Sequence, residues 1–423
     1  MDLLAHSFDT ITFQDVTDFC DQKIVENTEL DYKMVIPKDL TKHFAAMSNR
    51  YGGLIIVGVQ EDTAAGVPSA YEGIVNDGKQ IDRVHQFANN VRPLPTYDVR
   101  MTDEVNDKAF LLIRVNEGGA PPYTPKNDPT VYLRTGNITT PLDRADTEIV
   151  RELYAKRANA EHARQANVDR ARAVLLSMLE QGDLQRPQQV LHSKEPDGSK
   201  RFLLSDLDDN FRMLTAYLQP FYPGRELAPP REMHAALGEV RVANQKEQGR
   251  VFPALYNVNP MARGMLTVNW LGNRDVSFSA DQVYANGFFC HNEHAGVGVR
   301  GDCGDDIYLG DIARVLFTTL LFGRKLYSRF GYSGLTQGAV QLTGARGRRA
   351  RLILFEGQYQ DGYPLAIDAA YRWTVEANTH QLGDVDWLKD YFYQTMREIY
   401  WDLGITDVDG QTFTRFLDQW QFT

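Results

Sequence analysis

Between Leu30 and Val59 the chain holds two short apolar-rich runs with one amphipathic stretch between them. Leu30–Val35 reads as a strand ending before Pro37, and Leu54–Val59 as a buried strand. Asp39–Arg50 places Leu40, Phe44, Ala45 and Met47 at helical spacing, and Gly52-Gly53 then supplies the positive φ angles of a sharp turn. A second helix is predicted over Lys79–Val91, with Ile81, Val84, Phe87 and Ala88 on one face and Pro93 and Pro95 beyond it. Tyr97–Met101, Phe110–Val115 and Val131–Arg134 read as further strands, separated by a proline-rich loop over Ala120–Pro125. Residues 1–20 read as a helix or arm on this domain.

A long helical pattern, polar on most sides, runs from about Asp143 to Gly182 and carries Arg151, Lys156, Arg157, Arg164, Arg170 and Arg172. It reads as a solvated connecting helix or a dimer contact, with a basic strip for a phosphate backbone as the lesser reading. Residues 183–205 look like a linker. Beyond them, strand-like Met265–Trp270, Asp275–Phe278, Ala339–Leu342 and Arg351–Phe355 mix with helices, of which Gly310–Phe322 and Trp387–Leu403 are clearest. The expected architecture is an α/β (α+β) N-terminal domain over 1–145, a connecting helix and linker over 146–205, and a separate α+β domain over 206–423.

Composition narrows the function classes. Among 423 residues, 43% are hydrophobic and 24% charged, values that support sizeable cores. The net charge of −11 argues against a general electrostatic grip on nucleic acid. Residues 1–150 hold 23 Asp/Glu against 14 Lys/Arg, a balance of −9. A polyanion handled there must be met by a local basic strip or by bound cations. Three cysteines form no disulfide framework, and the N-terminus lacks a basic, then apolar, signal pattern; a cytoplasmic protein with no membrane span is the expectation.

The candidate chemistry sits on the first strand. Asp31-Tyr32-Lys33 is an acid-x-Lys triplet, and strand alternation puts Glu29, Asp31 and Lys33 on one face at steps of roughly 7 Å. Glu26 precedes this strand and Glu61 follows the second. Carboxylates beside a lysine are the inventory of divalent-metal phosphodiester chemistry; a plain charged surface strand is the competing reading. Three carboxylates within about 5 Å repel by roughly 3 kcal/mol per pair at an effective dielectric near 20, which a cation relieves.

The order of motifs resembles the Schlafen AlbA-2 family. They are Glu26-Asn27-Thr28-Glu29-Leu30-Asp31-Tyr32-Lys33, then Ser48-Asn49-Arg50-Tyr51-Gly52-Gly53 with its apolar strand, then Gln60-Glu61-Asp62. Arg92-Pro93 and Val131-Tyr132-Leu133-Arg134-Thr135-Gly136-Asn137-Ile138-Thr139 follow. The resemblance covers residues 20–145. It implies a metal-binding triad at Glu26, Asp31 and Glu61, where the motif register selects Glu26 over the Glu29 of strict alternation. An all-oxygen site suits Mg²⁺ or Mn²⁺, and Lys33 is the catalytic cation for the negative charge that develops on the phosphorane. Lys38, Lys42, Arg50 and Arg134 are candidate nucleic-acid backbone contacts, with plain solvated charge as the equal alternative. The implied activity is a metal-dependent endoribonuclease acting on tRNA or other structured RNA, suited to phage defence, with a C-terminal domain that senses a protein trigger. A homodimer supplies the second lobe that vertebrate relatives carry in one chain. The alternative is a non-catalytic nucleic-acid-binding regulator.

Other signals weigh less. No G-x-x-x-x-G-K-[ST] loop occurs. Gly296-Val297-Gly298-Val299-Arg300-Gly301 matches a dinucleotide fingerprint without its strand–helix setting. Cys290, His291, His294 and Cys303 supply two thiols and two imidazoles for zinc, at a spacing that a glycine-rich hairpin explains equally well. Arg346–Arg351 reads as a solvated hairpin turn, with a phosphate-binding loop as the lesser reading.

Overall fold

In the computed structural model, the residues described are 3, 8–62, 64–143, 146–181, 213–243, 251–252, 258–271, 277–294, 306–351, 366–405, 413 and 416–417. The chain divides into two compact units. The first joins Met1–His162 with the later segments Tyr327–Leu335 and Asn378–Gly383; the second comprises Ala163–Leu326, Thr336–Ala377 and Asp384–Thr423.

In the first unit, helix α1 (Phe13–Asp21) begins at a capping box in which Thr12 and Asp15 satisfy each other's backbone donors. Strand β1 (Leu30–Lys33) leads to helix α2 (Leu40–Asn49) and back to strand β2 (Gly53–Val57), which lies parallel to β1. The connection requires its glycines: a Cβ on Gly52, at φ +77°, would meet the Val115 carbonyl oxygen at 2.4 Å, and one on Gly53 the Glu29 carbonyl oxygen at 2.6 Å. Asn49 fixes the same corner by donating to the Tyr123 and Tyr132 carbonyls while accepting from the Tyr123 N–H.

The expected strand Leu54–Val59 is broken at Gly58, φ +105°, where the ladder changes partner. Strand β3 (Val59–Asp62) turns away to pair with β4 (Val67–Tyr71), a hairpin that hydrophobic pattern alone did not disclose. After helix α3 (Gln80–Ala88), strands β5 (Tyr97–Met101) and β6 (Leu111–Val115) complete a four-stranded sheet in the order β1-β2-β6-β5. One face buries Leu30, Tyr32, Leu54 and Ile56 with Val16 and Phe19 of α1; the other buries Ile55, Val57 and Ile113 with Phe44 and Met47 of α2. A final hairpin, β7 (Tyr132–Thr135) and β8 (Ile138–Pro141), packs on α2. The later segment of this unit is tied in at Ser333, whose carbonyl accepts from the Glu117 N–H at 3.1 Å and whose hydroxyl donates to Asn116.

Helix α4 (Thr147–Gln181) follows, over the stretch read as polar on most sides. Leu153, Ala160, Arg164, Asn167, Ala171 and Leu175 form one buried stripe of small, polar and apolar residues. Lys156 pairs with Glu117 within the first unit. Within the second, Arg164 donates to the Phe221 carbonyl and Asn167 to Gln219. Two arginines of the expected basic strip, Arg170 and Arg172, lie exposed beside Asp169, and the outer face mixes both signs. Residues 183–205, read as linker, lie outside the described residues.

The second unit is built on a seven-stranded sheet. Its strands are β9 (Met213–Pro220), β10 (Val258–Met261), β11 (Gly264–Leu271), β12 (Ser277–Tyr284), β13 (Phe289–His294), β14 (Leu335–Thr343) and β15 (Ala370–Asn378), in the order β10-β11-β12-β13-β9-β14-β15. Helices α5 (Pro230–Val240), α6 (Leu309–Arg329) and α7 (Val385–Asp402) belong to the same half of the chain. Asp384 caps α7 by accepting from the Asp386 and Trp387 N–H groups. Among the described residues no helix is long and apolar enough to cross a membrane.

Adjacent strand residues face opposite ways, and this divides the proposed zinc ligands. Cys290 joins Tyr217, Tyr284 and Phe288 in an apolar cluster, and burial pushes its thiol up to about 12. His291 faces the other side between two carboxylates: Nδ1 is 2.6 Å from Asp281 and Nε2 is 3.1 Å from Glu293. Arg314 of α6 donates to Glu293 at 2.5 Å. Cys303 and the His294 side chain lie outside the described residues.

Candidate active site

Alternation along β1 decides which side chains converge. Leu30 and Tyr32 enter the core toward α1, so Asp31 and Lys33 project toward α2. Asp31 is fully buried and meets the side chains of Lys33, Arg134 and His43. Lys33 Nζ donates to its Oδ1 at 2.7 Å, and Arg134 Nη2 of β7 donates to the same oxygen at 3.2 Å. His43 Nδ1 of α2 lies 3.0 Å from Oδ2. Burial alone raises the Asp31 carboxyl, but His43, Arg134 and Lys33 outweigh it and hold the group well below the usual carboxylate range.

Glu26 sits just ahead of the strand and is 6% exposed. Its backbone N–H donates to the Gly66 carbonyl, which ties it to the β3–β4 hairpin. Its carboxylate accepts the Tyr32 N–H at 2.5 Å and lies 3.7 Å from Lys33 Nζ. Burial, then the negative charges of Asp31 and Glu61, push it up to about 7 against the opposing pull of the Tyr32 N–H and Lys33. Glu61, half-exposed on β3, is therefore an electrostatic neighbour of Glu26. Glu29, the residue favoured by strict alternation, lies outside β1 and is half-buried.

The expected nucleic-acid contacts separate. Lys38 is exposed and Arg50 half-buried at the end of α2. Lys42 lies over the Tyr132 ring, 5.3 Å from its centroid. Arg134, at 1% exposure, is an internal group: besides Asp31 it donates to the carbonyls of Asn27 (3.1 Å) and Leu30 (3.4 Å). His43 escaped sequence reasoning, since a single histidine inside an amphipathic helix carries no spacing signal.

The acidic set suits a hard divalent cation in one respect: all donors are carboxylate oxygens, and two of the three are buried and mutually repelling. Among the described residues no three His, Cys, Asp or Glu side chains already converge as a metal cage. The Lys33 ammonium bridges Asp31 and Glu26, in the place a shared cation takes.

A protein-family model described as Schlafen, AlbA_2 matches residues 26–143. Residues 26–143 are a Schlafen AlbA_2 domain. The match includes the whole Glu26–Asp31–Lys33–Glu61 group together with His43 and Arg134. No curated protein matched the sequence. Among solved structures, the DIP2311 protein from Corynebacterium diphtheriae aligns at 20% identity over 31% of this chain and 26% of that one, with a TM-score of 0.22. The alignment thus spans about a quarter of that protein's length.

The raised Glu26 carboxyl makes the AlbA_2 domain's stability depend on pH with a definite sign. Between pH 4.5 and about 7 the unfolded chain has released a proton that the folded chain keeps, so the contribution is full below 4.5 and is lost as pH rises through 7. Across that window wild type loses about 2–3 kcal/mol relative to Glu26→Gln, which keeps an acceptor for the Tyr32 N–H but does not ionise. Urea unfolding of both proteins at pH 4.5 and 8 checks this; parallel curves contradict it.

Proposed function

We propose that the AlbA_2 domain binds nucleic acid and cleaves it as a metal-dependent endoribonuclease, with structured RNA such as tRNA as substrate. The observation that carries the reading is the buried, ionised Asp31 beside Glu26, Lys33 and Glu61. Glu26, Asp31 and Glu61 are the residues to hold Mg²⁺ or Mn²⁺, which when bound supplies an activated water and screens the phosphate's charge. The chain's own groups perform the rest. Arg134 and His43 keep Asp31 ionised, the Tyr32 N–H orients Glu26, and Lys33 is the cation nearest the developing negative charge. Lys38 and Lys42 are the accessible backbone contacts. Because residues 1–150 carry a balance of −9, affinity rests on such local cations rather than on a broad field. Sensing by the C-terminal half, a role in phage defence and pairing of two copies belong to the same proposal as its outer layer.

The test is electrophoretic. Labelled tRNA is incubated with the full chain in Mn²⁺ or EDTA, and both retardation and cleavage are scored. Binding in both conditions with cleavage only in Mn²⁺ is expected. Binding without cleavage leaves a regulator whose acids are structural; neither binding nor cleavage ends the nucleic-acid reading.

A further inference from the structure

The partners of the Asp31 carboxylate differ in their freedom to leave. Arg134 has a side chain 1% exposed and is pinned by the Asn27 and Leu30 carbonyls. His43 is 9% exposed along its side chain, enclosed on α2 between Asp31, Asp39 and Thr139. Lys33 alone reaches water, with its side chain 23% exposed on a flexible four-carbon stem. Its ammonium also holds the one position shared by two acids, 2.7 Å from Asp31 Oδ1 and 3.7 Å from Glu26 Oε1, with the Tyr32 carbonyl at 2.8 Å. A divalent ion and an ammonium cannot both occupy that point.

We infer that Lys33 is the resident counter-cation of the Glu26–Asp31 pair and that a divalent metal binds by displacing it. The inference rests on the metal-binding part of the proposed function. It deepens that reading by making metal loading an exchange of cations rather than the filling of an open cage. Before loading, the two buried acids are neutralised by the chain itself, so the domain folds without metal. After loading, the same ammonium is released toward solvent, where it is free to meet a phosphate. The residue therefore opposes metal binding while serving the substrate.

Two measurements on the full chain test this. Mn²⁺ binding is followed by the loss of free-ion electron paramagnetic resonance signal for wild type and Lys33→Met. Removal of a competing positive charge a few ångströms from the site tightens binding by at least about ten-fold. In parallel, wild type is briefly treated with an amine-acylating reagent with and without Mn²⁺, and acylation of Lys33 is read by peptide mass spectrometry. Displacement raises the Lys33 rate several-fold in Mn²⁺, while Lys38 and Lys42 serve as internal references. Metal bound equally or more weakly by Lys33→Met overturns the inference, as does an unchanged Lys33 rate in wild type that binds Mn²⁺. The labelling arm needs no variant and so stands even where Lys33→Met folds poorly. Absence of Mn²⁺ binding in both proteins overturns it too, and is distinguished as failure of the metal reading itself.

Discussion

Replacing Asp31 with alanine lowers the stability of the N-terminal unit by about 3–5 kcal/mol, the cost of removing one partner from a buried ion pair. The guanidinium of Arg134 is 1% exposed and loses its carboxylate, while Asn27 and Leu30 offer only carbonyls. His43 Nδ1 loses its neighbour 3.0 Å away as well. The loss is therefore structural before it is chemical, and an inactive Asp31→Ala protein is weak evidence about catalysis. Asp31→Asn keeps the shape and an acceptor for Arg134 and costs less. The double change Asp31→Leu with Arg134→Met recovers part of the loss, because the guanidinium no longer lies buried without its carboxylate, while Lys33 and His43 still lack theirs. Hydrogen exchange over residues 30–57 measures each step. A single Asp31→Ala change that leaves protection unaltered contradicts the buried pair.

The second large effect belongs to the other unit. Asp281, His291, Glu293 and Arg314 form a buried chain of alternating charge, in which His291 is pushed up to about 9 by its two carboxylates against the cost of burial. Arg314 and His291 likewise hold Glu293 below its ordinary range despite burial. Glu293→Ala leaves Arg314 and one His291 nitrogen without that carboxylate and costs about 3–5 kcal/mol. The pH dependence follows from two signs. The histidine's contribution is complete below its unfolded value of 6.5 and is lost as pH rises through about 9. The Glu293 contribution is present above 4.5 and falls away in acid. Exchange protection of residues 279–293 therefore forms a plateau around neutrality with a decline on either side. A Glu293→Ala protein as protected as wild type contradicts the network.

How much of this was legible in the chain depended on whether the governing signal was local. Helix α2, the Gly52-Gly53 corner and strand β2 follow from spacing and positive φ, properties of the residues themselves. The break at Gly58 was hidden because Val59 continues the apolar run; only the change of ladder partner reveals it. Arg134 was expected as a nucleic-acid contact, yet the hairpin lies on α2 and that guanidinium is buried against Asp31. Strand β13 was missed for a related reason. Cys290-His291-Asn292-Glu293 has no hydrophobic alternation, since its polar members satisfy one another across the sheet: His291 with Asp281, and Asn292 with Thr215. The stripe on α4 relies on alanine, asparagine and arginine, which hydropathy does not mark as interior. Of the candidate site, Glu26, Asp31, Lys33 and Glu61 were placed by motif order; His43 and the inward role of Arg134 needed three dimensions.

Glu61 offers the most direct test of the catalytic claim, because it is half-exposed and its loss leaves no buried charge unpaired. Cleavage of labelled tRNA in Mn²⁺ is measured for wild type and Glu61→Ala at equal RNA occupancy, with exchange protection confirming that both are folded. The account predicts a rate lower by roughly two orders of magnitude or more, the loss typical of removing one electrostatic contributor to a phosphoryl or acyl transfer site. A folded, RNA-bound Glu61→Ala protein that cleaves at the wild-type rate contradicts it.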